Sequence, residues 1–177
     1  MPILETARLV LRELKEDDWR ALFDYASDID AVRYMSWGPS DEAETKAFLK
    51  LAIAQQSESP RLSYELAVTI KETGQLIGTC GIRILDVTSQ NGDFGYILHP
   101  SFWGKGFGTE LAKRLVEFGQ DELDLHRIWA TCRPENVASA RVLEKAGCLL
   151  EGRLKGNMKV RGEWIDSLLY AIVRNER

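Results

Sequence analysis

The sequence predicts one domain of mixed α/β class, in which a largely antiparallel, twisted sheet is flanked by helices. Three observations lead to this prediction. Segments in the first, middle and last parts of the chain alternate apolar and polar residues, which is the period of a half-buried strand. Between them, apolar residues recur at the spacing of amphipathic helices. Residues 1–177, of which 45% are hydrophobic, suffice for a single core without disulfides.

The first half of the chain carries most of the strand signals. Its predicted strands occupy residues 8–14, 64–70, 75–86 and 93–98, and its predicted helices residues 16–26 and 41–56. The first helix opens on acidic residues that complement the helix dipole, and Ser40 or Asp41 caps the second. Asn91-Gly92 suits a turn with positive φ and predicts the hairpin before residue 93.

The second half of the chain combines helices with strands. Its predicted helices occupy residues 106–122 and 134–147, and its predicted strands residues 127–132, 148–155 and 164–174. Leu111, Leu115 and Phe118 form an apolar face on the first of these helices. Together with the strands before and after it, this helix makes one β-α-β unit, whose crossover is expected to be right-handed.

Charge and hydropathy limit the possible partners. The formal net charge is −4 and the pI is about 5.3. These values argue against a nucleic-acid partner, since such proteins present a basic surface. The longest apolar runs are too short to cross a bilayer, so no membrane association is predicted. The first five residues lack a basic and then apolar signal region, and a cytoplasmic location is expected.

The cysteines and histidines give little support for metal or thiol chemistry. Cys80, Cys132 and Cys148 form no Cys-x-x-Cys pair, and neither His99 nor His126 belongs to a cluster at metal-ligand spacing. No metal site is predicted. A covalent acyl carrier at Cys132 is disfavoured because no His or Asp partner is evident near it in the sequence.

A glycine-rich turn, Trp103-Gly104-Lys105-Gly106-Phe107-Gly108-Thr109, separates a strand from a helix. The first amides of a helix have no internal partner and carry partial positive charge, so this position suits a phosphate group. The spacing matches neither the P-loop nor the dinucleotide-binding fingerprint. Taken alone, the turn is equally compatible with a loop that holds no ligand, and an enzyme that binds ATP or NAD is a further alternative.

Five segments carry further motifs in a fixed order along the chain. They are Arg8-Leu-Val-Leu-Arg12, Asp93 to Glu110, His126-Arg-Ile128, Asn136-x-x-Ser139 to Gly147, and Gly162-x-Trp164-x-Asp166. In this order they resemble the GNAT superfamily of N-acetyltransferases, in particular its RimJ/RimL-like branch, many of whose members also have Trp at position 103. The resemblance implies a GNAT-like fold with a splayed central β-α-β unit, acetyl-CoA as cosubstrate, an amine as acceptor, and a homodimer.

The resemblance also implies residues that bind the cofactor. The amides of Trp103, Gly104, Lys105, Gly106, Phe107, Gly108 and Thr109 are expected to receive the pyrophosphate, and Lys105 is either a positive charge there or a solvated lysine. In the family a β-bulge in the fourth strand opens a gap for the pantetheine arm, which assigns the backbone of Ile97 and Leu98 to that arm. Asn136 is a pantetheine contact, a helix N-cap, or both. Arg141 or Lys145, four apart on one helix face, either reaches a cofactor phosphate or is solvated.

The catalytic assignments by resemblance are Asp93 and Ser139. Asp93 is the candidate general base, acting through a water, although relatives often have Glu there; the alternative is a polar residue beside a turn. The general acid of many relatives is a tyrosine at the position of Leu143, so that assignment fails. Ser139 is the candidate group near the sulfur, or a first-turn serine bonded to backbone.

The acceptor is less well defined. Tyr34, Met35, Trp37 and Trp164 are candidates to wall its pocket by family analogy, but aromatic residues also pack in cores and loops. At pH 7, deprotonation costs about 4–5 kcal/mol for a lysine-like amine and about 1 kcal/mol for a peptide α-amine. This difference slightly favours an α-amine, and the acceptor is expected to be a protein N-terminus or a small-molecule amine. A non-catalytic acyl-CoA-binding regulatory module of the same fold is the alternative function.

Overall fold

The structure, a computed structural model, describes residues 3–174, and within that range it contains four α-helices and one eight-stranded sheet. The strands are β1 (Leu4–Glu5), β2 (Leu9–Glu13), β3 (Ser63–Ile70), β4 (Leu76–Asp86), β5 (Asn91–Leu98), β6 (Arg127–Cys132), β7 (Leu149–Val160) and β8 (Glu163–Val173). The helices are α1 (Trp19–Ala26), α2 (Glu42–Gln55), α3 (Phe107–Asp121) and α4 (Val137–Lys145). The mixed α/β class predicted from the sequence is confirmed.

The strand order in the sheet is β1-β2-β3-β4-β5-β6-β8-β7. Every neighbouring pair is antiparallel except β5 and β6, which are parallel and joined through α3. This is the predicted β-α-β unit, because parallel neighbours need a crossover connection.

The two faces of the sheet carry separate apolar clusters. On one face, Leu66 and Val68 of β3 pack in the cluster that contains Leu111, Leu115 and Phe118 of α3, the apolar helix face predicted from the sequence. The opposite face carries α1 and α2, whose buried residues pack with Ala67 and Ile97. Successive residues of a strand point to opposite faces. Residues next to Leu66 and Val68 therefore face α1 and α2.

Two local predictions were wrong. The acidic residues at 16–18 form a separate 3₁₀ turn ahead of α1, where both carboxylate oxygens of Asp18 accept hydrogen bonds from Arg12 at 2.8 Å. Asn91 and Gly92 lie inside β5, and the positive φ of that hairpin falls on Gln90 at 48°. Gly92 is needed for another reason: a Cβ there would lie 2.5 Å from the carbonyl oxygen of Arg83.

The parallel strands β5 and β6 separate soon after they meet. Their pairing covers residues 91–93 and 127–129. Beyond that point β5 continues along β4 to Leu98, and β6 continues along β8 to Cys132, so a gap opens between them. Residues 93–98 pair one to one with residues 78–83, so the splayed unit is confirmed but the expected β-bulge within this stretch is not found.

Candidate active site

Two cavities meet at the gap between β5 and β6. The large cavity, about 540 Å³, lies on the side of α1 and α2 and is lined by Leu22, Tyr25, Phe48, Glu65 and Arg83 among others. The small cavity, about 180 Å³, lies beside α4 and is lined by Asn136, Ser139 and Leu143 among others. Residues of the gap line both cavities: Met35, Ser36, Phe94, Gly95, Tyr96, Ala130 and Thr131. A molecule that enters from one side of the sheet can therefore meet one that enters from the other.

The glycine turn leads directly into the N-terminus of α3. Gly104 and Gly106 have φ of 73° and 83°, in the left-handed region that glycine adopts without strain. Gly106 is the N-cap and offers no side chain to the helix amides. The N–H groups of Phe107, Gly108 and Thr109 thus have no partner within the helix and are open to an anion.

Arg8 holds this turn in place, a role that the sequence did not reveal. Its guanidinium donates to the carbonyl oxygen of Lys105 at 3.0 Å and lies 4.4 Å from the centre of the Phe107 ring. It also pairs with Glu110 at 2.7 Å. Burial by itself would raise the pKa of Glu110. Hydrogen bonds from Thr6 and Arg8 outweigh this effect and lower the pKa below its ordinary value. The turn is therefore tied to the residue just before β2, and Glu110 balances the charge of Arg8.

The first turn of α4 faces a tyrosine of β5. Asn136 is the helix N-cap, and its side-chain oxygen accepts from the backbone N–H of Ser139 at 3.1 Å. The hydroxyl of Ser139 lies 3.3 Å from that of Tyr96, so it bonds to a side chain and not to backbone. Burial raises the pKa of Tyr96 to about 12. The phenol therefore holds its proton more tightly than an exposed tyrosine does, and its hydroxyl lies beside that of Ser139, the candidate named from the sequence.

Asp93 lies where the pairing of β5 and β6 ends, opposite Trp129. It is 8% exposed and lines the large cavity. Arg83, its neighbour on β4, donates from Nε to one carboxylate oxygen at 2.9 Å and from a terminal nitrogen to the other. The two side chains form a bidentate ion pair in the cavity wall.

Glu65 is a second carboxylate in the large cavity, and sequence reasoning missed it. Burial raises the pKa of Glu65 to about 7, with Arg83 opposing and Asp93 reinforcing the shift. The available signal was its position in β3, because Glu65 shares a face with Ala67, which the second apolar cluster covers. An ionisable residue on a covered strand face is a candidate functional group.

The family described as Acetyltransferase (GNAT) domain matches residues 8–149. This chain belongs to the GNAT acetyltransferase family. The N-acetyltransferase YnaD of Bacillus subtilis (strain 168), described as uncharacterized, is 32% identical over 173 residues, which cover 98% of each chain. A GNAT-family acetyltransferase structure from Bacillus anthracis superposes with a TM-score of 0.86 at 30% identity, covering 97% of this chain and 98% of that one.

A further structural neighbour carries the name RimL. RimL, described as a ribosomal L7/L12 alpha-N-protein acetyltransferase in complex with coenzyme A, has a TM-score of 0.85 at 21% identity, covering 97% of this chain and 98% of that one. At this identity the likeness shows the GNAT fold alone.

The residues predicted to bind the cofactor lie in different surroundings. Ile97 lines the large cavity, whereas the carbonyl oxygen of Leu98 accepts from the indole N–H of Trp103 at 2.7 Å. Lys105 is exposed, with its ammonium group 5.2 Å from the centre of the Phe102 ring. Arg141 and Lys145 are exposed on α4, so both readings of these two residues stay open.

The residues predicted to wall the acceptor pocket do not all line the same cavity. Tyr34 lines the small cavity, Trp37 the large one and Met35 both. Trp164 lines neither, because it stands near the tip of the β7–β8 hairpin with 69% of its surface exposed.

Residues 3–174 contain neither a candidate metal site nor a candidate membrane-spanning helix. No group of three or more His, Cys, Asp or Glu side chains there could hold a metal ion. None of the helices in that range is long and apolar enough to cross a membrane.

Proposed function

We propose that this GNAT acetyltransferase transfers the acetyl group of acetyl-CoA directly to a primary amine. The observation that carries the proposal is the meeting of two cavities at the gap between β5 and β6. The N-terminus of α3 comes close to this gap at Gly108, where a Cβ would lie 3.7 Å from the ring of Tyr96. In direct transfer, donor and acceptor must reach one point from different directions. The gap supplies that point, and the residues around it supply hydroxyl and carboxylate groups.

The donor side is assigned to the glycine turn and the small cavity. The N–H groups of residues 107–109 would bind the pyrophosphate, Lys105 would add positive charge, and Arg8 would hold the turn in place. The gap would hold the pantetheine arm, and Asn136 shapes its rim as the cap of α4. Acetyl-CoA supplies an activated thioester, so that the protein has only to orient the two reactants and move protons.

The acceptor side is assigned to the large cavity. The amine must be neutral when it attacks, and Asp93 at the base of the gap is the proposed base, through a water. Its ion pair with Arg83 fixes the carboxylate in the wall. On the donor side, Tyr96 and Ser139 face each other and are the proposed hydroxyl donors for the leaving thiolate.

The acceptor proposed is a protein N-terminus or a small-molecule amine. A cavity of about 540 Å³ accommodates a drug-sized molecule or the first residues of a peptide. The cytoplasm is the proposed location. The buried, free thiols of Cys80, Cys132 and Cys148 support it, since thiols persist in reducing compartments. A homodimer stays a prediction.

The proposal is tested by release of free thiol from acetyl-CoA in the presence of a panel of primary amines. The expected result is amine-dependent release that falls at least tenfold in Asp93→Asn and in Ser139→Ala. Wild-type rates in both variants would refute the residue roles. Binding of CoA without acetylation of any amine would favour the regulatory module. Thermal protection by ATP or NAD and not by acetyl-CoA would favour a nucleotide enzyme.

A further inference from the structure

Among the carboxylates that line the large cavity, Glu65 is the one that is shielded from solvent and has no ion-pair partner within residues 3–174. Arg83 is committed to Asp93 through two hydrogen bonds, and together they are neutral. Glu44 is exposed, and its carboxylate accepts from the backbone N–H of Asp41 at the start of α2. No ion pair within residues 3–174 neutralises Glu65. A positively charged ligand would therefore find its partner at Glu65.

The sheet surface between Glu65 and the gap carries glycines and therefore no side chains. Glu65 pairs with Gly81 on β4, and Gly81 pairs with Gly95 on β5, so the three residues form one row across the sheet. A Cβ on Gly81 would lie 2.6 Å from each carboxylate oxygen of Glu65, which shows that the carboxylate lies over this glycine. A Cβ on Gly95 would meet nothing within 4 Å. Neighbouring strands lie about 4.8 Å apart, so a carboxylate over Gly81 is about 5 Å from the point above Gly95 on the same face of the sheet.

The remaining walls of the large cavity are mixed, with hydroxyl residues such as Ser40 and Thr79 beside several large apolar side chains. They include Leu22 from α1, Phe48 from α2, and Met35 and Trp37 from the segment between these helices. Such walls favour an apolar body on the ligand, with the charged group fixed at one end. The lining cation, Arg83, is already paired, so a ligand carboxylate has no free partner there.

We propose that Glu65 binds the ammonium group of the acceptor and takes its first proton, and that the acceptor is a small primary amine with an apolar body and no carboxylate. This inference rests on the proposed transfer of acetyl to a primary amine and revises one residue role in it: Glu65, and not a water held by Asp93, takes the first proton.

The protons and charges of the step balance. The ammonium group gives one proton to the Glu65 carboxylate, which leaves a neutral amine and a neutral carboxylic acid. The amine nitrogen then forms its bond to the acetyl carbon, and the bond from that carbon to sulfur breaks. The second proton leaves the nitrogen and ends on the thiolate. The products are the amide, the free thiol and protonated Glu65, which loses its proton to solvent before the next turnover.

The test compares wild type with Glu65→Gln, Gly81→Ala and a control, Glu72→Gln. The last makes the same change in charge in the exposed turn after β3. Gly81→Ala keeps the charge but displaces the carboxylate, and the protein should tolerate it because the Cβ meets the end of a flexible side chain. The kcat/KM for each amine is measured between pH 5.5 and 9, together with the KM for acetyl-CoA. The amine panel includes 2-phenylethylamine and phenylalanine.

The wild-type kcat/KM is expected to fall below about pH 7, where Glu65 becomes protonated. At pH 7.5 Glu65→Gln should lose at least about 100-fold, the lower range for general-base catalysis. It should also lose the acid limb of the profile. Gly81→Ala should lose activity in the same direction, while Glu72→Gln and every KM for acetyl-CoA stay within twofold of wild type. Phenylalanine should be at least tenfold poorer than 2-phenylethylamine.

Other titrating and charged groups near Glu65 must be separated from it. They are Arg83 and Asp93 on the neighbouring strands, Glu44 on α2, Tyr25 on α1, and Cys80. Burial raises the pKa of both Tyr25 and Cys80, so neither titrates near pH 7. Asp93→Asn is therefore run alongside: if its profile loses the acid limb and that of Glu65→Gln keeps it, Asp93 is the base and the inference is overturned.

The remaining outcomes distinguish this inference from the proposed function. If the wild type acetylates an amine and the kcat/KM of Glu65→Gln is within threefold of the wild-type value, the inference is overturned and the proposed function stands. A preference for phenylalanine overturns the assigned substrate class. If no amine releases thiol, the proposed function fails. Calorimetric titration of the CoA-loaded protein with 2-phenylethylamine then tests whether Glu65 binds an ammonium group. Binding to wild type that Glu65→Gln loses supports the site, and equal or absent binding to both overturns it.

Discussion

Replacing Glu65 by Gln is expected to stabilise the folded protein at alkaline pH while it removes activity. Burial raises the pKa of Glu65 from 4.5 to about 7, so the fold disfavours the ionised form. At about 1.36 kcal/mol per pKa unit, this rise corresponds to about 3 kcal/mol. The side chain is largely buried, so solvent screening reduces this figure little.

The sign follows from proton linkage. Between pH 4.5 and about 7 the folded protein holds a proton on Glu65 that the unfolded chain releases. The resulting stability is fully present below pH 4.5 and is lost as the pH rises through about 7. Glutamine cannot titrate and keeps a neutral side chain of similar shape. The advantage of the variant should therefore grow by about 3 kcal/mol between pH 4.5 and pH 8.

Urea denaturation of both proteins at pH 4.5, 6 and 8 measures this difference. Subtracting the two free energies of unfolding at each pH removes the contributions of all the other titrating groups, provided that the two m-values agree. A difference that is flat across this range would refute the reasoning. It would mean that Glu65 is solvated in the folded protein or that it is already paired.

Three further predictions concern the frame around the site. Gly106→Ala, at φ 83°, should cost about 1–2 kcal/mol in the free energy of unfolding and raise the calorimetric Kd for CoA; an unchanged Kd would contradict the anion site. Glu110→Gln should destabilise the protein more at pH 7 than at pH 3 in urea melts, because the lowered pKa of Glu110 gives stability that is lost as the pH falls. An equal loss at both pH values would exclude its charge as the cause. Phe118→Ala, at 1% exposure, should cost about 3–5 kcal/mol, and a cost under 1 kcal/mol would contradict its place in the core.

The regular elements of the fold could be predicted from the sequence because their signals are local. Alternation of apolar and polar residues marked the strands, and the apolar face of α3 marked the helix of the β-α-β unit. The errors occurred where a partner decides the structure. Asp18 lies in a separate turn because Arg12, on the preceding strand, binds both of its carboxylate oxygens. Gly92 lies in a strand because the backbone of β4 approaches it closely.

The same distinction between local signals and contacts with distant partners applies to the candidate site. The glycine turn is one continuous segment, and its placement between a strand and a helix was visible in the residues at 103–109. Arg8 reaches that turn from the other end of the sequence, and Tyr96 meets Ser139 across the gap. Neither contact has a signal in local spacing.

By itself, the sequence determined the class of fold, the family and the segment that suits a phosphate group. Each of these depends on short local patterns and on their order along the chain. Only the tertiary structure decided which charges remain unbalanced once the sheet is assembled. Arg83 neutralises Asp93, and Glu65 is left over Gly81 with an open path to the gap. The physical reason is that desolvation and ion pairing depend on groups from several strands and helices, whose distances are fixed only when the chain folds.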